Sequence, residues 1–329
     1  MEIKAADVAK LRKMTGAGMM DCKKALVEAD GDYERAQEII REKGKLVAAK
    51  RADRETTEGA VVAKIAGGSS ILVSLGCETD FVANTEEFRG LAERIAEAAI
   101  AALPQDAAAL NEVKMAEGCT VAEAISEQTG KCGEKHVVAY YAKMDAPFAG
   151  SYVHFNRKQG AIVGFNKPVS EEVAKYIAMQ VTAMKPVAVN ADSVPQAVIE
   201  KEMAVAVEKT KEEQVRKAVE NALKKAGINP AHVDSEDHIE SNTAKGWLTP
   251  DQANQAREII KTVSAEKAAN LNEGMIENIA KGRLAKFFKE QTLEEQDFIM
   301  GEKITVKDYI KSVDAEAKVV DFKMFSLAD

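Results

Sequence analysis

Two stretches of the chain repeat one order of local signals, and this repetition constrains the fold more than any other feature. From Gly59 the sequence reads as a strand over 60–66, a Gly67-Gly68 turn and a strand over 70–77. The loop Glu78–Ala83 follows, then a Thr85-Glu86-Glu87 run and a helix that ends near Leu103. Asn84 is the predicted cap of this helix, with Glu87 three residues on completing a capping box. From Gly150 the order returns: a strand over 151–156, a strand over 161–166, then Ser170-Glu171-Glu172 and a helix. Two hairpins that each hand over to a helix make an internal repeat.

The copies differ in length. Gly59 to Thr85 is 26 residues and Gly150 to Ser170 is 20. One extra residue falls in the strand turn, and the rest fall between the second strand and the helix, around 77–84. The second copy closes the same unit without them, so the fold does not require them. Functional residues concentrate on loops held by a rigid scaffold, which makes 78–83 a candidate for partner contact.

The remaining chain is mostly helical. Residues 1–44 read as three short helices: Cys22, Ala25, Leu26 and Ala29 form the core stripe of the second, and Asp32 caps the third, which places Tyr33, Ala36 and Ile40 inward and can stop at Gly44. The charged stretch 45–58 reads as a linker, and the core divides into 59–146 and 147–194. Residues 195–290 carry two apolar seams, Val215/Val219/Ala222/Ala226 and Leu271/Met275/Ile279, with a Gly/Pro/Ser-bearing middle over 227–250. That pattern predicts a long antiparallel helical hairpin. Residues 291–329 return to the core with a strand-like Phe298–Met300, a helix near Thr305–Ser312 and an extended stretch over 318–325. Alanine accounts for 54 of the 329 residues and Phe, Tyr and Trp for 17, in keeping with a mainly helical chain.

The formal charge is −8. A sequence-independent nucleic-acid binder needs excess cations, so direct nucleic-acid binding is not expected. Residues 1–54 hold 13 Lys/Arg against 10 Asp/Glu, a basic end on an acidic body, which favours a protein partner. The first ten residues lack the apolar run of a signal peptide and no stretch of 18 apolar residues occurs, so no membrane role is expected and a cytoplasmic location is. The four cysteines, at 22, 77, 119 and 132, show no CxxC spacing, which argues against a disulfide framework or a zinc knuckle. Cys22 reads as core and Cys77 as packed at a strand end.

Enzyme signatures are missing: no GxGxxG after a strand, no GxxxxGK[ST], no HExxH and no GxSxG. The cluster Asp234, Glu236, Asp237 and His238 lacks a closed ligand set and reads as a solvated loop, so neither a metal nor another cofactor is expected.

Four ordered motifs carry a resemblance. The run Leu11-Arg12-Lys13-Met14-Thr15-Gly16-Ala17-Gly18-Met19-Met20-Asp21-Cys22-Lys23-Lys24-Ala25-Leu26 is the first. Thr79-Asp80-Phe81-Val82-Ala83-Asn84 is the second and Gly150-Ser151-Tyr152-Val153-His154 the third. Gly282-Arg283-Leu284, with Gln296-Asp297-Phe298-Ile299-Met300 downstream, is the fourth. Together they closely resemble the signatures of the translation elongation factor Ts family. The resemblance implies a UBA-like N-terminal module, a two-part α+β core, a protruding helical hairpin and a C-terminal module. It implies exchange of guanine nucleotide on the GTPase elongation factor Tu, without bond chemistry. Thr79, Asp80, Phe81 and Val82 are then the exchange motif that disturbs the partner's Mg²⁺ and phosphate site, and Leu11, Met19, Met20 and His154 are contacts to the partner. The region between Glu200-Lys201-Glu202 and Gly282 is longer than the family's short hairpin, which leaves a homodimer through it open.

Read without the resemblance, Phe81 is either a core aromatic or an exposed contact. The second is favoured because it lies in the dispensable segment and not at the staple position beside the helix cap. Met20 falls off the Cys22/Ala25/Leu26 stripe beside Lys23 and Lys24, as a contact methionine would, while Met19 shares the Cys22 side. His154 on a strand has a structural reading as well as a contact one. A non-catalytic helical adaptor with a binding head is the alternative function.

Overall fold

The structure, a computed structural model, describes residues 3–301 and 303–327. Two compact units divide it, Met1–Val189 with Leu293–Asp329, and Asn190–Thr292.

The first unit opens with helices α1 (Ala5–Thr15), α2 (Met19–Glu28) and α3 (Tyr33–Lys50). Cys22, Ala25, Leu26 and Ala29 are buried as the stripe requires, and Val8, Leu11 and Ala36 complete their small core. Asp32 caps α3, its carboxylate accepting from the Arg35 amide. The helix does not stop at Gly44. It continues to Lys50 through six residues expected as linker. Gly44 is glycine for another reason: it is buried where α3 crosses α7 (Val121–Cys132) at Gly130, so that a Cβ on Gly130 would strike the Gly44 backbone and one on Gly44 would crowd the Ser126 carbonyl at 3.2 Å.

The first sheet has the order β1 (Glu58–Ala66), β2 (Ser69–Cys77), β3 (His136–Asp145), all antiparallel. Gly67 and Gly68 both take positive φ, which closes the β1–β2 hairpin with no side-chain penalty. Residues expected as an open loop hold a single helical turn, α4 (Asp80–Ala83). Asn84 ends that turn, so the cap of the next helix, α5 (Glu86–Ala102), falls to Thr85, whose hydroxyl accepts from the Phe88 amide. A short α6 (Ala107–Asn111), α7 (Val121–Cys132) and β3 (His136–Asp145) complete this half. Its core sets Phe88, Leu91 and Ile95 of α5 against Ile71, Val73 and Leu75 of β2.

The second sheet repeats the plan with β4 (Phe148–Val153), β5 (Gln159–Phe165) and the helix α8 (Glu171–Met184), which starts where expected and is capped by Ser170. Its third strand comes from the far end of the chain: β6 pairs antiparallel with β5. Val61, Leu72, Met144 and Ile162 form a further small core shared by the strands of both sheets.

The second unit is built on the 30-residue helix α9 (Gln196–Lys225), which packs against α11 (Pro250–Ala269) and α12 (Glu273–Gln291), with α10 (Glu236–Ala244) between α9 and α11 in sequence. Leu223, Ile228, Val233, Ile239, Leu248, Ala253 and Ala256 give it a core of its own. The Leu271/Met275/Ile279 seam is displaced. Asn272 caps α12, so Leu271 precedes the helix and does not share its phase. Ile276 and Ala280 are the buried residues, and Met275 is exposed.

After Leu293 the chain rejoins the first unit, with α13 (Val306–Val313), capped by Thr305, leading to β6 (Val319–Ser326). Phe298–Met300 forms no strand. Phe298 is buried with its ring stacked 3.9 Å from that of Tyr309, and the chain turns just beyond it.

Candidate functional site

The α4 turn is amphipathic in four residues. Ala83 is buried and Val82 packs on the first core, so the turn is seated by its second half. Asp80 and Phe81 face away, and the Phe81 side chain is 83 % exposed. The reading of Phe81 as a core aromatic is thereby excluded. A large aromatic is thus held out of the core on an ordered turn, open to solvent.

The turn is fastened at both ends. At its start, Thr79 is the cap: its hydroxyl accepts from the Val82 amide at 3.5 Å and donates to Glu134 Oε1 at 2.8 Å. The Thr79 amide donates to Glu134 Oε2 at 3.1 Å. At its end, the Asn84 side-chain amide donates to the Asp80 carbonyl and the Thr85 hydroxyl to the Val82 carbonyl, both at 2.8 Å.

The neighbouring Glu78 ties the turn to α3 and to the start of β3. Arg51 Nη1 donates to both Glu78 oxygens at 2.9 Å, and the Lys135 amide donates to Glu78 Oε1 at 2.7 Å. The Lys135 amide and then Arg51 hold the Glu78 carboxyl below the usual carboxylate range. The Lys135 ammonium donates to the carbonyls of Ala52 and Arg54, so the segment leaving α3 is held against the same turn. Cys77 sits beneath, its thiol donating to the Thr79 carbonyl at 3.2 Å. Burial, with the nearby Glu134 charge, pushes that thiol up to about 12, which leaves it protonated and inert as a nucleophile at neutral pH.

The other expected contact residues lie on separate elements of the same compact unit. Met19 and Met20 open α2 and are 45 % and 64 % exposed, so Met19 is more open than a place beside Cys22 suggested. Leu11 requires correction. It is 0 % exposed within the three-helix core and supports that surface from inside, touching nothing beyond it. His154 follows β4 at the turn into β5. Its amide donates to the Gln159 carbonyl, and its Nδ1 lies 2.9 Å from the Tyr152 hydroxyl. Its ring centroid is 4.4 Å from that of Phe155, which is 87 % exposed.

Sequence reasoning passed over Phe155, Glu78 and Glu134. Phe155 could have been found as an aromatic in a hairpin turn, where Asn, Asp or Gly is usual. Nothing local marks Glu134, which reaches Thr79 across 55 positions.

Among the described residues no group of His, Cys, Asp and Glu could hold a metal ion, and no helix is long and apolar enough to cross a membrane. Within the 234–238 stretch, Ser235 caps α10, Glu236 pairs with Arg257 and Asp234 with His238.

Residues 78–329 match the family model described as Elongation factor TS. Curated proteins named Elongation factor Ts are similar along the whole chain. The one from Bacteroides fragilis is 54% identical over 328 residues, covering 99% of each chain. That of Parabacteroides distasonis is 53% identical over 331 residues and that of Porphyromonas gingivalis 35% over 327, again covering 99% of each chain.

Proposed function

The chain belongs to the elongation factor Ts family, whose members are nucleotide-exchange factors of translation elongation, and from that premise we propose that it binds elongation factor Tu carrying GDP and expels the nucleotide by inserting Phe81 and Asp80 beside the Mg²⁺ and phosphate site. Exchange is a coupling between two ligands of one GTPase. Whatever factor weakens nucleotide binding is the factor by which nucleotide weakens binding of the exchange protein. Each tenfold of that coupling corresponds to about 1.4 kcal/mol, which contacts with the partner must supply.

The observation that supports this reading best is the exposure of Phe81 on a turn already ordered in the free protein. Burying a phenylalanine contributes roughly 1.5–3 kcal/mol, enough for about one to two decades of nucleotide affinity. Because the turn is fixed beforehand, little of that is lost to ordering the loop on binding. Asp80 adds a carboxylate where the partner holds Mg²⁺ against phosphate, and the metal's charge balance is disturbed there. No bond is made or broken on this chain, and no cofactor is needed.

Docking and insertion are assigned to different elements. Met19 and Met20 on α2 and His154 at the β4–β5 turn hold the partner, and α4 acts on the nucleotide site. Arg51 and Glu78 tie α3 to α4, so a partner held by the head meets the turn in a defined place.

The test is stopped-flow release of a fluorescent GDP analogue from purified elongation factor Tu. The protein should accelerate release to a plateau as its concentration rises. A release rate independent of its concentration would remove the exchange function.

A further inference from the structure

We infer that Glu134 is a positioning residue for exchange: its carboxylate clamps the Thr79 cap and thereby aims Asp80 and Phe81. The inference rests on the exchange reading given above.

The geometry is specific to one residue. Both Glu134 oxygens are spent on Thr79, Oε2 on the amide and Oε1 on the hydroxyl. The second contact also fixes the hydroxyl rotor. With its proton committed to Glu134, the Thr79 oxygen turns a lone pair to the Val82 amide, the cap bond that starts α4. A four-residue turn has too few internal bonds to hold itself, so its direction is set by what grips its ends.

Glu134 is itself fixed. Gly133 takes a left-handed conformation at the end of α7, with its amide on the Thr129 carbonyl. The Glu134 amide donates to the Cys132 sulfur at 3.4 Å, and its carbonyl lies 2.8 Å from His136 Nδ1. His136 is buried and pairs with Cys77 across β2 and β3, so the clamp is anchored in the first sheet.

Thr79 and Glu134 are both half-exposed, and water can replace either bond when the carboxylate is removed. What water cannot replace is the fixed direction of the turn. Misplacing a reacting or inserting group by a small distance costs rate well before it costs stability.

Glu134→Ala and Glu134→Gln test this, each compared with wild type and with Phe81→Ala. In the free protein, deuterium exchange over residues 78–84 should rise in Glu134→Ala while circular dichroism is unchanged. In the GDP-release assay, the plateau rate should fall by about tenfold, the scale of one lost charge-assisted hydrogen bond, with a smaller change in the concentration giving half the plateau. Glu134→Gln keeps one acceptor and should fall between. Adding Glu134→Ala to Phe81→Ala should cost less than the two separate losses combined, since Glu134 acts in part through Phe81.

Unchanged deuterium exchange, a wild-type plateau or full additivity with Phe81→Ala would each overturn the inference. If Glu134→Ala does not fold, the glutamine variant is judged by the same readouts. A wild-type protein that fails to accelerate release at all would overturn the exchange reading and the inference together, whereas a normal wild-type plateau with an indifferent Glu134 overturns the inference alone.

Discussion

Gly44 and Gly130 meet where α3 crosses α7, so closely that a Cβ on Gly130 would fall 2.6 Å from the Gly44 Cα. The contact is backbone against backbone, with no flexible side chain to yield. It joins the last helix of the N-terminal module to the helix that precedes Glu134, and it brings Arg51 to Glu78. The N-terminal module and the α4 turn are thus linked through a rigid crossing as well as through the chain.

Gly130→Ala should force the two helices apart. Overpacking of this kind costs about 1–3 kcal/mol. The urea midpoint should drop by the corresponding amount, and plateau exchange should fall as α3 shifts Arg51 from Glu78. A midpoint equal to that of wild type would mean the crossing is loose.

Substituting Met19 and Met20 together by serine should weaken the complex with the GTPase and leave the plateau rate within a few-fold, because exposed side chains contribute within about 0.5 kcal/mol to folding and these lie on α2, not on α4. Titration in the GDP-release assay separates the two quantities. A lowered plateau at unchanged affinity would contradict the division between docking and insertion. Substitution is the cleaner test than deletion of 1–50, which would also uncover α7.

His136 gives a pH dependence of stability. Burial is the main cause holding its imidazole below the ordinary 6.5, against the opposing pull of Glu134 and Glu78. The unfolded chain therefore takes up the proton first as pH falls. The stability present above 6.5 is lost as pH drops through it, with a slope of at most about 1.4 kcal/mol per pH unit from this one group. The urea midpoint should be lower at about pH 5.5 than at about pH 7.5, and His136→Gln should flatten that difference. The stability contributed by the lowered carboxyl of Glu78 is present above the ordinary carboxylate range and is lost only as pH falls below it, outside this window. An equal pH effect in wild type and His136→Gln would assign the dependence to other groups.

The compact unit Asn190–Thr292 has its own core and contains neither α4 nor the head. Replacing residues 208–268 by a short Gly-rich turn should leave exchange within a few-fold of wild type and change stability or self-association instead. The GDP-release assay and sedimentation of the same protein decide. Loss of exchange beyond about tenfold, the equivalent of 1.4 kcal/mol, with a folded core would show that this unit grips the GTPase.

What could be read from the chain was what repeats or keeps phase. The Cys22/Ala25/Leu26/Ala29 stripe is buried because helix periodicity reports a core face directly. Asp32 caps where expected because the cap is a local bond, and the helices expected near Ser170 and Thr305 start there. The extra length of the first repeat pointed to 78–83, and that is where the exposed Phe81 stands. Misread features depended on distant partners or on phase. Gly44 looked like a helix stop because its reason for being glycine lies in Gly130. Asn84 looked like a cap because the turn it closes was not foreseen. The Leu271 seam drifted by one residue because the helix begins after it. Leu11, in a recognisable motif, proved to be packing. The hold of Glu134 on Thr79 is a tertiary contact with no local signature at all.

The central claim is that an exposed aromatic on a fixed turn drives nucleotide release, and Phe81→Ala tests it most directly in the stopped-flow GDP-release assay. Because Phe81 takes no part in the core, the variant should unfold at the wild-type urea midpoint. Its plateau exchange rate should fall by about tenfold or more, the scale of one buried aromatic anchor. A folded Phe81→Ala protein that exchanges nucleotide at the wild-type rate would contradict the account.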